Sequence, residues 1–451
     1  MKPFLKASIT HPGRRQHGLP ALVIAVAMLA AAPLHLPADQ ATHREQFRQA
    51  WNAASRGDHA TFRQLGSGLE DYVLYPYHRY EDYRVRRAQV APEEMARFLE
   101  ASAGWAFTDG LKTAWLKTLG ARKRWPALAR YAGDPADTEV RCYLAQARIE
   151  LGDTAGLLQE VQSLWTVGKS QPDACDPAFA WLRKQGGISP ALAWERIRLA
   201  MLAGNPRFTR YLARYVLAPD RAWVQRWQDL SRSNYRKLEQ ARSWPDQSLT
   251  RMITAVSLQR LARHDPDRAM DTFRQLDGRF GWSADQRGGI LHGIALQGAV
   301  ALSDDAATHM QAVPDTHRDE QLLQWWARLD MVNQDWSGLL EVIGRMPPQS
   351  RADGRWRYWE AVAHEKLGDP GAAAEIRRGL SLETSYYGFL AADRLGSPYT
   401  ICPLEPSVAR ADIERLRQRP EFERALELRR AGIENWAQSE WSLATRRLDI
   451  D

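Results

Sequence analysis

Apolar residues recur along this chain at helical spacing, and the polar breaks between them are short. Val140, Tyr143, Leu144, Ala147 and Leu151 fall on one helical face, and Gly152 supplies the left-handed residue that ends the helix. Leu157, Leu158, Val161, Leu164 and Trp165 then recur at i, i+1, i+4, i+7 and i+8. Lys169 to Pro177 reads as a return loop, with Pro172 and Pro177 as breakers, so this hairpin can bring Cys175 back beside Cys142. From Arg44 to Asp451 the pattern stays helical and β-branched alternation is absent. The clusters RGD at 56–58, LGD at 151–153, AGNP at 203–206, HDPD at 264–267, NQD at 333–335 and LGDP at 367–370 each separate two amphipathic segments. Asp335 and Asp369 are 34 residues apart, the period of a tetratricopeptide-type unit, but the other spacings are irregular. The fold class expected is all-α, an irregular α-superhelix of stacked helical hairpins. Each hairpin hides its apolar stripe only against its neighbours, which predicts a curved wall with a concave face suited to binding.

Four basic residues, Lys2, Lys6, Arg14 and Arg15, precede an uncharged stretch from Leu19 to Pro37. This is a secretory signal pattern, with a leader expected over residues 1–38. Its apolar core, Ala21 to Ala32, is 12 residues long, whereas a spanning helix needs about 20. Three cysteines in 451 residues exclude a disulfide-scaffolded miniprotein. The simplest arithmetic bridges Cys142 to Cys175 and leaves Cys402 out. The leader also carries much of the formal charge of +7, and without it 57 basic residues face 54 acidic ones. Bulk charge therefore does not support a nucleic-acid partner.

Between Arg207 and Val216 two stripes run along one helix. Phe208, Tyr211, Leu212, Tyr215 and Val216 are expected in the core. Arg207, Arg210 and Arg214 face the other way, and they are the candidate contacts for an anionic glycan, although a charge run is more often a solvated face. Trp165, Trp194 and Trp336 sit at apolar helical positions and read as packing residues, despite the affinity of indole for sugar rings. The tyrosines of DYVLYPYHRYEDY, residues 71–83, read as a joint between hairpins, with Pro76 breaking or bending a helix there. No catalytic constellation is present. His364 and Glu365 begin like a zinc-protease motif but continue Lys-Leu-Gly, and no Gly-rich phosphate loop, nucleophile elbow or CxxC pair occurs. No cofactor or metal is expected.

Several separated segments resemble the soluble lytic murein transglycosylases. They are REQFRQAW at 44–51, LEDYVLYPYHRYEDY at 69–83, LWTVGKSQPDACD at 164–176, ERIRLAMLAGN at 195–205, RWRYWEAVAHEKLGD at 355–369 and YYGFLAADRLG at 386–396. The resemblance covers the amino-terminal three-fifths or so of such a protein. It implies a periplasmic protein of a family that cleaves the β-1,4 bond between N-acetylmuramic acid and N-acetylglucosamine without water, leaving a 1,6-anhydromuramyl end. It also implies a superhelical U domain over 39–380 and part of a linker domain over 381–451, which in the family close a ring with a lysozyme-like catalytic domain. The family's catalytic glutamate lies in a Glu-Ser pair, and no Glu-Ser dipeptide occurs in this sequence. No residue here inherits the catalytic role.

Two readings follow. In the first, the chain is the peptidoglycan-engaging part of a transglycosylase whose catalytic domain is lost by truncation, frameshift or a split reading frame. The abrupt end at ATRRLDID favours it. In the second, the chain is a stand-alone periplasmic scaffold for glycan strands or partner proteins. The expected partners are peptidoglycan glycan strands, together with a separately encoded catalytic domain or other cell-wall proteins, with no membrane span after signal cleavage.

Overall fold

The hairpin punctuation works through one repeated backbone device. Gly57, Gly152, Gly204 and Gly368 have φ between +75° and +86°, which ends each helix in the left-handed region at no steric cost. The residue that follows donates its N–H back to the carbonyl five positions earlier: Asp58 to Ala53, Asp153 to Arg148, Asn205 to Ala200 and Asp369 to His364. These are Schellman closures. Asp58 and Asp369 then cap the next helix, accepting from Thr61 and Ala372. Asp335 does the same after Gln334, a non-glycine residue at φ 58°. Pro206, Pro266 and Pro370 occupy the first position of their helices, where the missing N–H costs nothing. One short motif thus stops a helix, reverses the chain and starts the next.

The computed structural model describes residues 38–401, 410–446 and 448. All regular structure among them is helical, as expected. Residues 1–37 of the leader and Cys402 lie outside the described residues. Among those described, no helix is long and apolar enough to cross a membrane. Pro76 starts helix Tyr75–Arg86 rather than breaking one.

The chain divides into two compact units. One is Gly120–Glu405; the other joins residues up to Leu119 with those from Pro406 on. The compact units therefore divide the chain differently from the expected 39–380 and 381–451. In the larger unit successive hairpins pack neighbour on neighbour. A continuous apolar core runs from Ala145 to Leu329 and includes the fully buried Trp165 and Trp227. Smaller clusters carry it on through Leu339 and Trp356 to Leu380 and Ala391. Truncating such a tryptophan to alanine costs about 3 to 5 kcal/mol.

The smaller unit is held by two buried carboxylates from the carboxy-terminal helices. Glu427 accepts both arms of Arg44, at 2.7 and 3.0 Å, and the hydroxyl of Tyr72 at 2.8 Å. Glu440 is fully buried and accepts from the Tyr77 hydroxyl at 2.6 Å, the Ala106 N–H at 3.0 Å and Arg424 at 3.0 Å. Burial pushes the Glu427 carboxyl up, but hydrogen bonds from Arg44 and Tyr72 outweigh that and hold it below the usual range. Burial raises the Tyr72 and Tyr77 hydroxyls, so both stay protonated and able to donate. Around these bonds Tyr77 packs against Trp105, Phe107 and Trp436, and Arg424 stacks 4.2 Å from the Trp105 ring centroid. The tyrosine-rich run of residues 71–83 is a joint between the two chain ends, not between adjacent hairpins. This pairing explains the division: besides Arg424 and Arg430 on their own helices, the buried acids of the last helices take their donors from the first eighty residues described.

Removing a partner from a buried pair leaves an uncompensated charge, so Glu440→Leu should cost about 3 to 5 kcal/mol in urea denaturation, and adding Arg424→Met should recover part of it. A single variant within about 1 kcal/mol of the parent would show that the pair carries no such burden.

Candidate functional site

The most distinctive stretch of the sequence, Leu164–Phe179, turns out to be a structural lock. Asp137 caps helix Thr138–Glu150 by accepting from the Val140 N–H, and this helix carries Cys142. Helix Leu157–Trp165 returns the chain, and a 3-10 turn, Asp173–Cys175, places Cys175 against it. Both cysteines are fully buried, beside Leu164 and Phe179, and they are joined as a disulfide with Cα atoms 4.7 Å apart.

The loop between them is tied to the next hairpin. Gly168 lies where a Cβ would stand 2.5 Å from the Leu199 carbonyl oxygen, so only glycine fits. Arg196, from helix Pro190–Leu202, donates to the Val167 and Lys169 carbonyls at 3.3 Å each. Its guanidinium, 3% exposed, lies 4.5 Å from the Trp165 ring, 4.9 Å from Phe208 and 5.8 Å from Phe179. Burial lowers its pKa to about 10, which still leaves it charged at neutral pH. Aromatic faces and two carbonyls offset the desolvation that a carboxylate would otherwise have to balance. Sequence reading did not single out Arg196. Its partners are spread over 44 positions, from Trp165 to Phe208, and no local pattern marks it.

Helix Pro206–Leu212 is seated on this lock through Phe208, and that orientation turns the arginine stripe outward. Arg207, Arg210 and Arg214 are all exposed. Among the described residues no carboxylate pairs with any of them. Arg214 lies over the ring of Tyr211 at 4.3 Å, and the Tyr211 and Tyr215 hydroxyls meet at 3.1 Å. Tyr211, expected in the core, is 44% exposed, because a tyrosine stacked under arginine beside a second hydroxyl keeps its polar end wet. The result is a small cationic and aromatic face. It can take carboxylates on its guanidinium groups and a sugar face on Tyr211. Trp165 and Trp194 are buried as expected, at 1% and 9% exposed.

A second opening, of about 640 Å³, lies in the smaller unit and is lined by Trp105, Asp109, Asn435, Gln438, Ser442 and Arg446 among others. Its amides and hydroxyls suit a polyhydroxylated ligand. The polar row on helix Glu434–Thr445 was its only trace in sequence, and such a row reads equally as a solvated face.

The carboxyl best tuned for proton transfer is Asp330. Burial, then repulsion from Asp335 and Glu341, pushes it up to about 7. A group poised there suits general acid catalysis. However, Asp330 is only 4% exposed, one of its oxygens has no hydrogen-bond partner, and it lines none of the openings described. It is sealed between hairpins, out of reach of a glycan.

A disulfide-braced stack of helical hairpins with an outward cationic face defines a class of all-α proteins, and its known relatives make the class specific. No family model matches the chain. Soluble lytic murein transglycosylases from Escherichia coli strain K12 and Salmonella typhimurium are each 28% identical to it, over 407 and 408 residues respectively. Each alignment takes in 90% of this chain and 62% of the relative. The solved structure of an inactive mutant of lytic transglycosylase Slt from Pseudomonas aeruginosa superposes with a TM-score of 0.76 at 28% identity, covering 90% of this chain and 66% of that one. The 70-kDa soluble lytic transglycosylase of Escherichia coli superposes at 0.74 and 26% identity, covering 91% and 66%. The chain is thus a homologue of the soluble lytic murein transglycosylases, and it spans about three-fifths of the length of the curated relatives it matches.

Closing the Cys142–Cys175 loop should contribute roughly 3 to 4 kcal/mol, so the double Cys→Ala variant should unfold at correspondingly lower urea, and an unchanged midpoint would refute this. Asp330 gives a pH signature. Unfolded, it titrates near pH 4; folded, it keeps its proton until about pH 7. The stability it contributes is full below about pH 4 and is lost as pH rises through about 7. Relative to Asp330→Asn, the parent should lose stability between about pH 4 and about pH 7. Parallel pH profiles would contradict the assignment.

Proposed function

We propose that this chain is the peptidoglycan-engaging, helical-hairpin part of a periplasmic soluble lytic murein transglycosylase. Its role is to hold glycan strands while the β-1,4 bond between N-acetylmuramic acid and N-acetylglucosamine is cleaved to a 1,6-anhydro product. The observation that carries this reading is the agreement of sequence and fold with murein-cleaving relatives over nine-tenths of the chain. The chemistry is consistent with it. Peptide stems bear carboxylates and the glycan bears sugar rings, and Arg207, Arg210, Arg214 and Tyr211 offer partners for both. Catalysis needs a carboxyl that acts first as acid and then as base in a glycan-lined cleft. The accessible surface described above pairs no such carboxyl with the arginine face, so cleavage belongs to a separate catalytic domain, in the same polypeptide or encoded apart. A periplasmic location, which the basic-then-apolar amino-terminal pattern supports, is a compartment that favours the Cys142–Cys175 bridge.

Sedimentation with purified sacculi tests the reading. The chain should pellet with sacculi at about 0.02 M salt and less so at about 0.3 M, because exposed charges are screened there. The triple variant Arg207→Glu, Arg210→Glu, Arg214→Glu should remain in the supernatant while keeping its helical circular dichroism. No 1,6-anhydromuropeptides should be released by the 451-residue chain. Failure of the parent to pellet at low salt refutes glycan engagement, and release of anhydro products refutes the assignment of catalysis elsewhere.

A further inference from the structure

Among the described residues, one group of three potential metal ligands comes together away from the arginine face: Asp267, Asp305 and His309. One oxygen or nitrogen from each lies within 4.8 Å of the others. Asp267 is in the first turn of helix Pro266–Asp277, whose cap is the neighbouring Asp265. Asp305 precedes the short helix Ala306–Gln311 but makes no capping hydrogen bond, so its exposed carboxylate is uncommitted. His309 sits within that short helix and is 1% exposed. It fits there because Gly298, on helix Ala284–Ala301, has no side chain; a Cβ would stand 3.2 Å from His309 Nδ1.

His309 makes no hydrogen bond through either ring nitrogen. Nδ1 is buried without a partner. Nε2 is aimed at Asp267 Oδ1 but stops 3.7 Å short of it, and that oxygen is itself buried and unpartnered. Leaving a buried polar atom unsatisfied is costly, and here an imidazole and a carboxylate do so face to face. The buried imidazole and the two carboxylates thus converge within 4.8 Å with no hydrogen bond joining them. The surrounding charges are Asp267, Asp271, Asp305 and Arg274, an excess of negative charge.

From this juxtaposition we propose that Asp267, Asp305 and His309 form a zinc-binding site that clips helix Pro266–Asp277 to helix Ala306–Gln311. One nitrogen and two carboxylate oxygens make a zinc donor set, with water as the fourth ligand. Magnesium and calcium favour oxygen-only shells and would gain nothing from His309. Zinc sits about 2.0 to 2.2 Å from such donors, so the carboxylates must draw in by roughly 1 Å, which half-exposed Asp267 and exposed Asp305 can do by rotation about their side-chain bonds. The ion would stabilise the fold by binding the native state alone. The site involves none of the residues that carry the glycan reading, and the two stand or fall separately.

Zinc titration of chelator-stripped protein, followed by calorimetry and by thermal unfolding, provides the test. One zinc should bind per chain and raise Tm, while magnesium at the same concentration should not. Asp305→Asn, an exposed substitution, should keep the metal-free Tm but weaken zinc binding about tenfold or more and remove the zinc-dependent rise. His309→Gln should do the same, and if it fails to fold the Asp305 variant still decides. The proposal is overturned by a parent that shows no zinc-dependent rise, by an Asp305→Asn protein that binds zinc as tightly as the parent, or by magnesium acting equally well.

Discussion

Two buried glutamates dictate how the ends of this chain must meet. A carboxylate removed from water is tolerated only when donors surround it, and most of the donors for Glu427 and Glu440 come from far earlier in the polypeptide. Arg44 lies 383 residues from Glu427, Tyr77 lies 363 from Glu440, and the Ala106 N–H lies 334 from it. Neither terminal segment can bury its polar groups alone. The tryptophan and tyrosine packing around them follows from this demand, since Trp105, Phe107 and Trp436 supply the dry surroundings in which the two acids are held.

The larger unit works on the opposite principle. Its polar needs are met within each turn, by a left-handed glycine, a Schellman bond and an aspartate cap, and its apolar needs by the adjacent hairpin. This is why so much of it could be read from sequence. Val140, Ala147, Val161 and Leu164 lie in the core as their spacing implied, and the Gly-Asp and Asn-Pro clusters fall at the turns. The smaller unit was not legible, because periodicity carries no information across more than 300 positions. Tyr72 and Tyr77 gave the one hint, as a density of hydroxyl-bearing rings that packing alone does not require.

Legibility of the surface was also uneven. Arg207, Arg210 and Arg214 were visible as a stripe at i, i+3 and i+7, and they are exposed. What fixes their direction was hidden, because Arg196 looks like any helical arginine until Trp165, Phe179 and Phe208 are brought around it. The bridge between Cys142 and Cys175 could be anticipated, since one hairpin joins them. The Asp267, Asp305 and His309 cluster could not, because its members belong to successive hairpins whose register no local pattern sets.

The contrast between the units has a temporal side. Hairpins that close over a few residues can form as soon as they emerge, whereas bringing together segments more than 300 residues apart waits for the whole intervening chain and carries a larger loop-closure entropy. Helix Ala38–Ser55 and its neighbours are made well before the carboxy-terminal helices, yet Arg44 and Tyr72 gain their buried partner only when Glu427 arrives. Until then the earliest segment exposes Phe47, Leu69 and Tyr77, all of which are buried once the fold is complete. The helices that carry Arg44, Tyr72 and Tyr77 are therefore strongly dependent on protection during synthesis, although they leave the ribosome long before their partners.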